Sequence, residues 1–174
     1  MLAIWIKIDS EGPVFYRQVR VGKGNRDFRL FKFRSMRVGS DRKGLITVGG
    51  RDPRVSRSGY YIRKYKLDEL PQLINVFTGD MSLVGPRPEV RKYVDLYTPE
   101  QMHVLDVRPG ITDPASIRYR NENELLAQVE DPDRSYVEVI MQDKLQLNLE
   151  YVEKQSFRFD LQLIFKTFSE IIRK

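Results

Sequence analysis

The sequence predicts an α+β fold that is mostly helical and contains a small β-hairpin. Residues 12–37 hold two short runs of β-branched and aromatic residues on either side of a Gly-rich turn, which is typical of paired strands. Residues 66–78 and 159–174 repeat apolar residues every three or four positions, which is typical of amphipathic helices. The chain has 174 residues, of which 41% are hydrophobic, so we expect residues 1–174 to form a single domain.

Composition excludes several classes of protein. The chain contains no cysteine, and this excludes disulfide frameworks, thiol catalysis and thiolate metal sites. The apolar start, residues 1–6, is interrupted by Lys7 and Asp9 and is far shorter than the ~20 residues of a helical membrane span. We therefore expect no segment of this sequence to cross a membrane by itself.

The net charge of +6 is unevenly distributed along the chain. Residues 1–66 carry 17 Lys and Arg against 5 Asp and Glu, whereas residues 67–174 carry 13 against 19. Such a basic half is expected to attract phosphates, either of a nucleic acid, of an anionic membrane surface or of a phosphorylated small substrate. A well-solvated basic face is the alternative, so only the motifs can decide.

The first predicted element is the hairpin, with strands at 14–21 and 28–34 and a Gly-Lys-Gly-Asn turn between them. Because side chains alternate along a strand, Lys32 and Arg34 share one face of the second strand and the neighbouring phenylalanines the other. A rigid element thus presents basic groups on one side.

A helix is predicted over residues 66–78. Its apolar residues recur at helical spacing, and Gly79 is a suitable C-terminal stop. Pro71 is compatible only with the first turn of a helix, because a deeper proline would clash with the preceding turn. The helix therefore begins within a few residues of Asp68 and Glu69, which places both carboxylates at the positive end of the helix dipole.

The rest of the chain is predicted to alternate loops and helices. The predicted elements are a loop at 38–58, a proline-braced loop at 84–89, a short helix near 89–97, a tight loop at 107–112, a long helix from 133 to 152 and a C-terminal amphipathic helix at 159–174. The apolar stripe of that last helix either faces the core or lies on lipid.

Asp68 and Glu69 are the strongest candidates for chemistry. Adjacent acids at a helix start are often only capping residues, but here Arg63 lies directly upstream, Arg87 lies downstream and the hairpin presents Lys32. Arginine forks hold phosphate oxygens, and a carboxylate can attack phosphorus or bind a metal ion. The combination favours phosphoryl transfer.

Five longer motifs occur in the order found in one known family. They are Gly12-Pro-Val-Phe-Tyr-Arg-Gln18 with Arg20-Val-Gly22, Phe31-Lys-Phe-Arg-Ser-Met36, Leu67-Asp-Glu-Leu-Pro-Gln-Leu73, Gly79-Asp-Met-Ser-Leu-Val-Gly-Pro-Arg-Pro-Glu89 and Val107-Arg-Pro-Gly-Ile-Thr112. Over roughly residues 2–170 the sequence resembles the bacterial sugar transferase family, the monotopic polyprenyl-phosphate phosphoglycosyl transferases. Each motif alone would be weak, but five in order make a chance match very improbable.

The resemblance implies a reaction. Members of the family transfer a phosphosugar from a UDP-sugar to undecaprenyl phosphate, giving undecaprenyl-diphosphate-sugar and UMP, and so initiate the synthesis of exopolysaccharide, lipopolysaccharide or another glycoconjugate. By motif match, Asp68 is implied to be the nucleophile that forms a covalent phosphosugar intermediate. Glu69, together with Asp68, is implied to bind Mg²⁺.

The resemblance also implies where the substrates bind and where the protein acts. The residues implied to bind them are Arg87, Arg63, Lys32 and Arg34 for the substrate phosphates, and the loop of Arg108, Pro109 and Gly110 for the nucleotide-sugar. The expected location is the cytoplasmic face of the bacterial inner membrane, with a membrane-associated surface that includes amphipathic helices. No nucleic acid is expected as a partner, and a homodimer remains open.

Two features depart from the family pattern. Members normally begin with a hydrophobic re-entrant membrane helix, of which residues 1–8 are expected to be the tail. Anchoring would then depend on the basic half and on the C-terminal stripe. Residues 111–116 are Ile-Thr-Asp-Pro-Ala-Ser, whereas many relatives have Gly-Trp-Ala-Gln after Ile-Thr. This difference bears on the preference for the sugar or the base of the donor.

Two other interpretations stay open from the sequence. The aromatic residues interleaved with basic ones in residues 14–37 are compatible with a nucleic-acid-binding module, although the adjacent acids would repel a phosphate backbone. A catalytically silent membrane-associated remnant would retain the motifs without the activity.

Overall fold

The computed structural model describes residues 1–40, 44, 46–49 and 52–172. The α-helices are α1 (Leu2–Asp9), α2 (Arg57–Lys64), α3 (Gln72–Thr78), α4 (Arg91–Val94), α5 (Pro114–Arg118), α6 (Glu122–Leu126), α7 (Pro132–Ser135), α8 (Met141–Lys154) and α9 (Phe157–Ile172). The strands are β1 (Phe15–Val21), β2 (Asp27–Phe33), β3 (Ser82–Val84) and β4 (Gly110–Thr112). The predicted α+β class, mostly helical with a small hairpin, is confirmed.

The hairpin forms where it is predicted. β1 and β2 pair antiparallel, from Phe15 opposite Phe33 to Val21 opposite Asp27, and a 3₁₀ turn between them contains Gly24 in a left-handed conformation. Because Tyr16 lies directly opposite Lys32, these two side chains share one face of the hairpin.

The predicted 66–78 helix is shorter than the pattern indicates. A 3₁₀ turn spans Leu67–Glu69, and α3 begins only at Gln72, with Pro71 as its N-cap. Lys66 is left-handed, with a φ of 57°, so it cannot continue a helix from α2 into this segment. The two acids therefore lie in the turn before α3, and the helix ends, as predicted, at a left-handed glycine.

The faces of α3 are reversed relative to a helix on a water-exposed surface. Leu73, Ile74 and Phe77 are exposed, Phe77 at 93%, whereas Gln72 and Asn75 are buried. The Oδ1 atom of Asn75 accepts a hydrogen bond from the Phe31 amide at 2.9 Å, and its Nδ2 atom donates to the Arg29 carbonyl at 2.9 Å. The buried amide side chain thus pairs with backbone groups of β2 and fixes α3 against the hairpin.

The loops predicted at 84–89 and 107–112 form one unit. β3 and β4 pair in parallel, a pairing that the sequence does not predict because it joins segments far apart in the chain. A Cβ atom on Gly110 would lie 2.1 Å from the Gly85 nitrogen, so only glycine permits this approach. The 107–112 loop therefore supports the backbone just before Arg87.

The predicted long helix is confirmed. A continuous helical segment runs over residues 132–154, with a π-helical turn at Tyr136–Ile140 between α7 and α8. Its inner side packs into a core with Tyr93 and Leu126. The helix predicted near 89–97 is limited to α4.

The C-terminal helix, α9, distinguishes between the two alternatives for its apolar stripe, which were packing in the core and lying on lipid. Phe165, Phe168 and Ile172 are exposed, whereas Leu163 is buried against Val84 and Tyr151. Most of the stripe therefore does not face the core. Among the described residues, no helix combines the length and apolar character needed to cross a membrane.

The loop predicted at 38–58 falls partly outside the described residues, since 41–43, 45, 50 and 51 are not described. In its described part, the Arg54 guanidinium donates to the carbonyls of Gly44 and Ile46, each at 2.6 Å. The loop ends at Ser56, whose side chain caps α2.

The close packing of α2 against the backbone of Ser35 can be tested at Gly59. A Cβ atom on Gly59 would lie 1.9 Å from the Ser35 carbonyl oxygen. Alanine normally stabilises a helix interior relative to glycine by about 1 kcal/mol. Here the contact with the Ser35 carbonyl makes alanine the less stable residue. We expect Gly59→Ala to lower the free energy of unfolding by about 1–3 kcal/mol in urea titrations, whereas Lys64→Ala on the exposed side of α2 has little effect. A Gly59→Ala variant that is more stable than the parent would contradict the packing.

Candidate active site

A cavity of about 610 Å³ lies between the hairpin, the turn before α3, the loop that holds Arg87, and helices α5, α6 and α8. Its volume is within the range of small-molecule sites. The basic side chains that line it are Arg20, Lys32, Arg34, Arg37, Arg54, Arg63, Lys66, Arg87, Arg120 and Lys144. Among the described residues only Asp68, Glu69 and Glu122 contribute carboxylates to the lining. The excess of cations in a concave site favours a small anionic ligand over an extended nucleic-acid backbone.

Glu69 is held by two cations from distant parts of the chain. Its carboxylate accepts hydrogen bonds from both terminal nitrogens of Arg87, one of them Nη1 at 3.3 Å, and from Lys32 Nζ at 3.4 Å. Although burial opposes ionisation, Arg87 and Lys32 hold the pKa of Glu69 far below its usual range. Burial lowers the pKa of Lys32, which the Glu69 charge partly offsets. Glu69 is therefore ionised at neutral pH.

Asp68 lies beside this ion pair and lines the same cavity, with 8% of its surface exposed. Burial raises its pKa, and the Glu69 charge adds to that, whereas Lys32 and Arg63 act in the opposite direction. The sequence pattern places Asp68 at the positive end of a helix dipole, but Asp68 lies in the 3₁₀ turn before α3. In the structure, the cations lining the cavity oppose the effect of burial instead.

The predicted phosphate-binding residues are brought together with one exception. Lys32 from β2, Arg63 from the last turn of α2 and Arg87 from the proline-braced loop all line the cavity with Asp68. Lys66, in its left-handed turn, lines it as well.

Arg34 is the exception, because its guanidinium donates hydrogen bonds to backbone carbonyls at the C-terminal end of α1. Its Nη2 atom donates to the Ser10 carbonyl at 2.8 Å and to the Ile6 carbonyl at 3.4 Å, and Nη1 donates to the Glu11 carbonyl. Although Arg34 lines the cavity, this geometry favours a structural role over the phosphate-binding role predicted from the sequence.

The loop predicted to contact the nucleotide-sugar lies outside the cavity lining. Arg108 is exposed, and Pro109 and Gly110 are buried against the 82–86 backbone. The Pro109 carbonyl accepts from the Ser82 amide at 2.8 Å, and the Gly110 amide donates to the Pro86 carbonyl at 3.1 Å. In this structure the three residues support the loop that carries Arg87.

The structure adds residues that the sequence interpretation does not single out. They include Tyr16, Gln18 and Arg20 on β1, Tyr119 after α5, Asn123 in α6 and Lys144 in α8. The β1 residues were detectable, because Tyr16 pairs with Lys32 and the next two follow at the strand period of two. The α5–α8 residues carry no such signal, since only tertiary packing brings them to the cavity.

The residues present fit the implied Mg²⁺ ion. Among the described residues there is no group of three or more acidic or histidine side chains that could hold a metal by themselves. Mg²⁺, however, is usually bound by one or two carboxylates together with substrate phosphates, and Asp68 and Glu69 are adjacent carboxylates in a cavity lined by basic side chains.

The chain is similar in sequence to known sugar phosphotransferases and sugar transferases. The chain is 41% identical over 173 residues to a UDP-N-acetylgalactosamine-undecaprenyl-phosphate N-acetylgalactosaminephosphotransferase from Aeromonas hydrophila, covering 98% of this chain and 38% of that protein. It is 36% identical over 170 residues to a UDP-glucose:undecaprenyl-phosphate glucose-1-phosphate transferase from Escherichia coli (strain K12), covering 95% and 34%. It is also 36% identical over 167 residues to the uncharacterized sugar transferase EpsL from Bacillus subtilis (strain 168), covering 96% and 74%.

The chain thus spans little more than a third of the length of the first two relatives. The family model for bacterial sugar transferases matches residues 1–174, which include the whole cavity and all the motifs around it. The chain therefore belongs to the bacterial sugar transferase family.

Proposed function

We propose that this chain transfers a phosphosugar from a UDP-sugar to undecaprenyl phosphate, releases UMP, and so initiates the synthesis of a surface polysaccharide or glycoconjugate. The observation that carries the proposal is a buried carboxylate, Asp68, in a cation-lined cavity next to the Glu69 ion pair. The substrate classes are supported by the names of the relatives, two of which are transferases between a UDP-sugar and undecaprenyl phosphate.

Asp68 is the proposed nucleophile of a two-step reaction. Its carboxylate oxygen attacks the phosphorus that carries the sugar, the bond from that phosphorus to the UMP oxygen breaks, and UMP leaves with the electron pair. A phosphate oxygen of undecaprenyl phosphate then attacks the same phosphorus and displaces Asp68, which regenerates the free carboxylate. The relay avoids direct contact between two highly charged phosphate substrates in one poorly hydrated site.

The cations around Asp68 hold the phosphates. Arg87 presents a planar fork that binds two phosphate oxygens, and Lys32 and Arg63 supply further positive charge. An incoming diphosphate competes with Glu69 for Arg87 and Lys32, which frees the Glu69 carboxylate. When bound by Asp68 and Glu69 together with the donor phosphates, Mg²⁺ would neutralise charge on the diphosphate.

The exposed apolar faces of α1, α3 and α9 are proposed to lie on the cytoplasmic leaflet of the inner membrane. Ile8, Phe77 and Phe165 are each at least 70% exposed on these three helices, and exposed apolar patches of this kind mark interaction surfaces. The acceptor is a lipid, so the site has to work at a membrane surface. The basic residues of the N-terminal half would add attraction to anionic lipids.

The first prediction concerns the nucleophile. Asp68→Asn removes the attacking carboxylate but keeps its size, so we expect UMP release to be abolished while the melting temperature stays within a few degrees. UMP is measured with Mg²⁺, detergent-solubilised undecaprenyl phosphate and a panel of UDP-sugars, and the active donor identifies the sugar. Asp95→Asn, an exposed acid, serves as the control. Full UMP release by Asp68→Asn would remove the nucleophile assignment.

The second prediction concerns pH. Lys32 lowers the pKa of Asp68, and only ionised Asp68 can attack. Lys32→Met therefore raises that pKa, so the protonated fraction grows at a given pH and the acid limb of the UMP-release profile moves to higher pH. We also expect a loss of about 10–100-fold in kcat/KM from the missing phosphate contact. The control is Lys23→Met in the hairpin turn. An acid limb that stays in place would show that Lys32 does not set the charge state of Asp68.

The third prediction concerns the membrane. Phe77→Glu and Phe168→Glu place charges on the faces proposed to enter lipid, where a buried phenylalanine contributes about 1.5–3 kcal/mol. We expect each to reduce partitioning into vesicles of phosphatidylethanolamine and phosphatidylglycerol at least tenfold in sedimentation assays. Val139→Glu, which alters an exposed apolar residue outside α1, α3 and α9, is the control. Equal losses for all three variants would contradict the assignment of the face.

A further inference from the structure

The C-terminal end of α1 is bound by a buried arginine of the hairpin. Carbonyls that end a helix or follow it lack partners within the helix, and here Arg34 donates to those of Ser10 and Glu11 and also to that of Ile6, which already accepts the Ser10 amide. The Arg34 backbone amide also donates to the Val14 carbonyl at 2.9 Å, at the base of the hairpin. Arg34 is 5% exposed and lines the cavity, so it joins α1 directly to the cavity wall.

The same end of α1 is bound to α2 by a second contact. The Asp9 carboxylate accepts a hydrogen bond from the Ser58 amide at 2.8 Å and another from the Ser58 hydroxyl at 2.7 Å. The contact lies at the N-terminal turn of α2, where the helix dipole favours a negative charge. Asp9 is not among the residues that line the cavity.

Apolar packing reinforces both contacts. Ile6 of α1 and Ile62 of α2 are fully buried, and the rings of Trp5 and Tyr61 lie 5.9 Å apart. Ile62 immediately precedes Arg63 in α2. The helix that α1 packs against therefore also supplies Arg63 to the cavity. α1 is thus fixed to α2, which carries Arg63, and to Arg34, which directly follows the strand that carries Lys32.

The opposite side of α1 faces outward. Ile4 and Ile8 are exposed, on the surface proposed above to lie on the leaflet. A helix whose apolar side is embedded takes its depth from the lipid. Because α1 is fastened to the cavity wall, its depth determines where the cavity meets the phosphate group of a lipid acceptor.

We propose that Arg34 and Asp9 are positioning residues for the lipid acceptor. They hold α1 and the cavity as one body, so that the cavity opens at the level of the lipid phosphate. This inference rests on the proposed function and gives Arg34 a role other than binding substrate phosphate. Loss of either contact impairs the step that consumes undecaprenyl phosphate and leaves the step that consumes the UDP-sugar intact.

The two roles for Arg34 predict different results for Arg34→Lys. A lysine keeps the positive charge, so it would partly replace a phosphate-binding arginine, and any defect would affect the donor step. Lysine lacks the planar fork of arginine, which reaches several carbonyls at once, so it would not hold the end of α1 as Arg34 does. A positioning role for Arg34 therefore predicts a defect confined to the acceptor step.

The experiment separates the two steps. Arg34→Lys and Asp9→Ala are compared with matched controls, Arg29→Lys on the exposed hairpin and Glu11→Ala beside Asp9. The donor step is the stoichiometric release of UMP from a UDP-sugar without lipid. The acceptor step is the KM for undecaprenyl phosphate embedded in nanodiscs. Hydrogen–deuterium exchange of residues 2–9 reports whether α1 is still fastened.

We expect both variants to keep the UMP burst within twofold of the parent and to raise the acceptor KM at least tenfold. Amide exchange should become faster in residues 2–9 and stay unchanged in residues 67–78. Neither control should show these effects.

Several outcomes would overturn the proposal. A lost UMP burst in Arg34→Lys with unchanged exchange in α1 would make Arg34 a phosphate-binding residue. If thermal melting shows that Arg34→Lys does not fold, Asp9→Ala decides, and an unchanged acceptor KM in that variant refutes the positioning role. If the parent protein releases no UMP from any UDP-sugar, the proposed function fails. The exchange data then decide separately whether Arg34 and Asp9 fasten α1.

Discussion

The site is organised around the ion pair that Glu69 makes with Arg87 and Lys32. The three residues come from the turn before α3, from the proline-braced loop and from β2, and all are largely shielded from water. Removing Glu69 would leave two largely buried cations without their partner, which costs several kcal/mol. The three segments are therefore coupled, and Asp68, adjacent to Glu69, is held in place by the same contact. The loop at 108–110 helps to position Arg87 for this ion pair, because it supports the backbone that leads to Arg87.

A second constraint is the orientation of the helices. In α3 the polar Gln72 and Asn75 are buried and Phe77 is exposed, because Asn75 pairs with the backbone of β2 and turns the apolar side outward. The outer faces of α1 and α9 are apolar as well. A protein surface in contact with water rarely concentrates large apolar side chains in this way. The same packing that builds the cavity thus also creates the surface proposed to meet the membrane.

Much of the fold was predictable from local signals. The hairpin follows from its alternation and its Gly-rich turn, the end of α3 from Gly79, and α9 from its apolar period. The start of α3 was not predictable, because the left-handed conformation of Lys66 has no signature in its residue type. The pairing of β3 with β4 joins segments of three residues each, too short for an alternation pattern to be recognised.

The amino-acid sequence by itself determined the family, the adjacent carboxylates Asp68 and Glu69, and the cations Lys32, Arg63 and Arg87 that surround them in the structure. These follow from residue types in ordered motifs, whose chemistry can be read without coordinates. Only the tertiary structure decided which of the cations that line the cavity also hold the fold together. Arg34 has the same charge and strand face as Lys32 in the sequence, yet it binds the end of α1. The difference is physical, because a guanidinium is directed by the acceptors that packing brings within reach, and those acceptors are backbone carbonyls that no motif encodes.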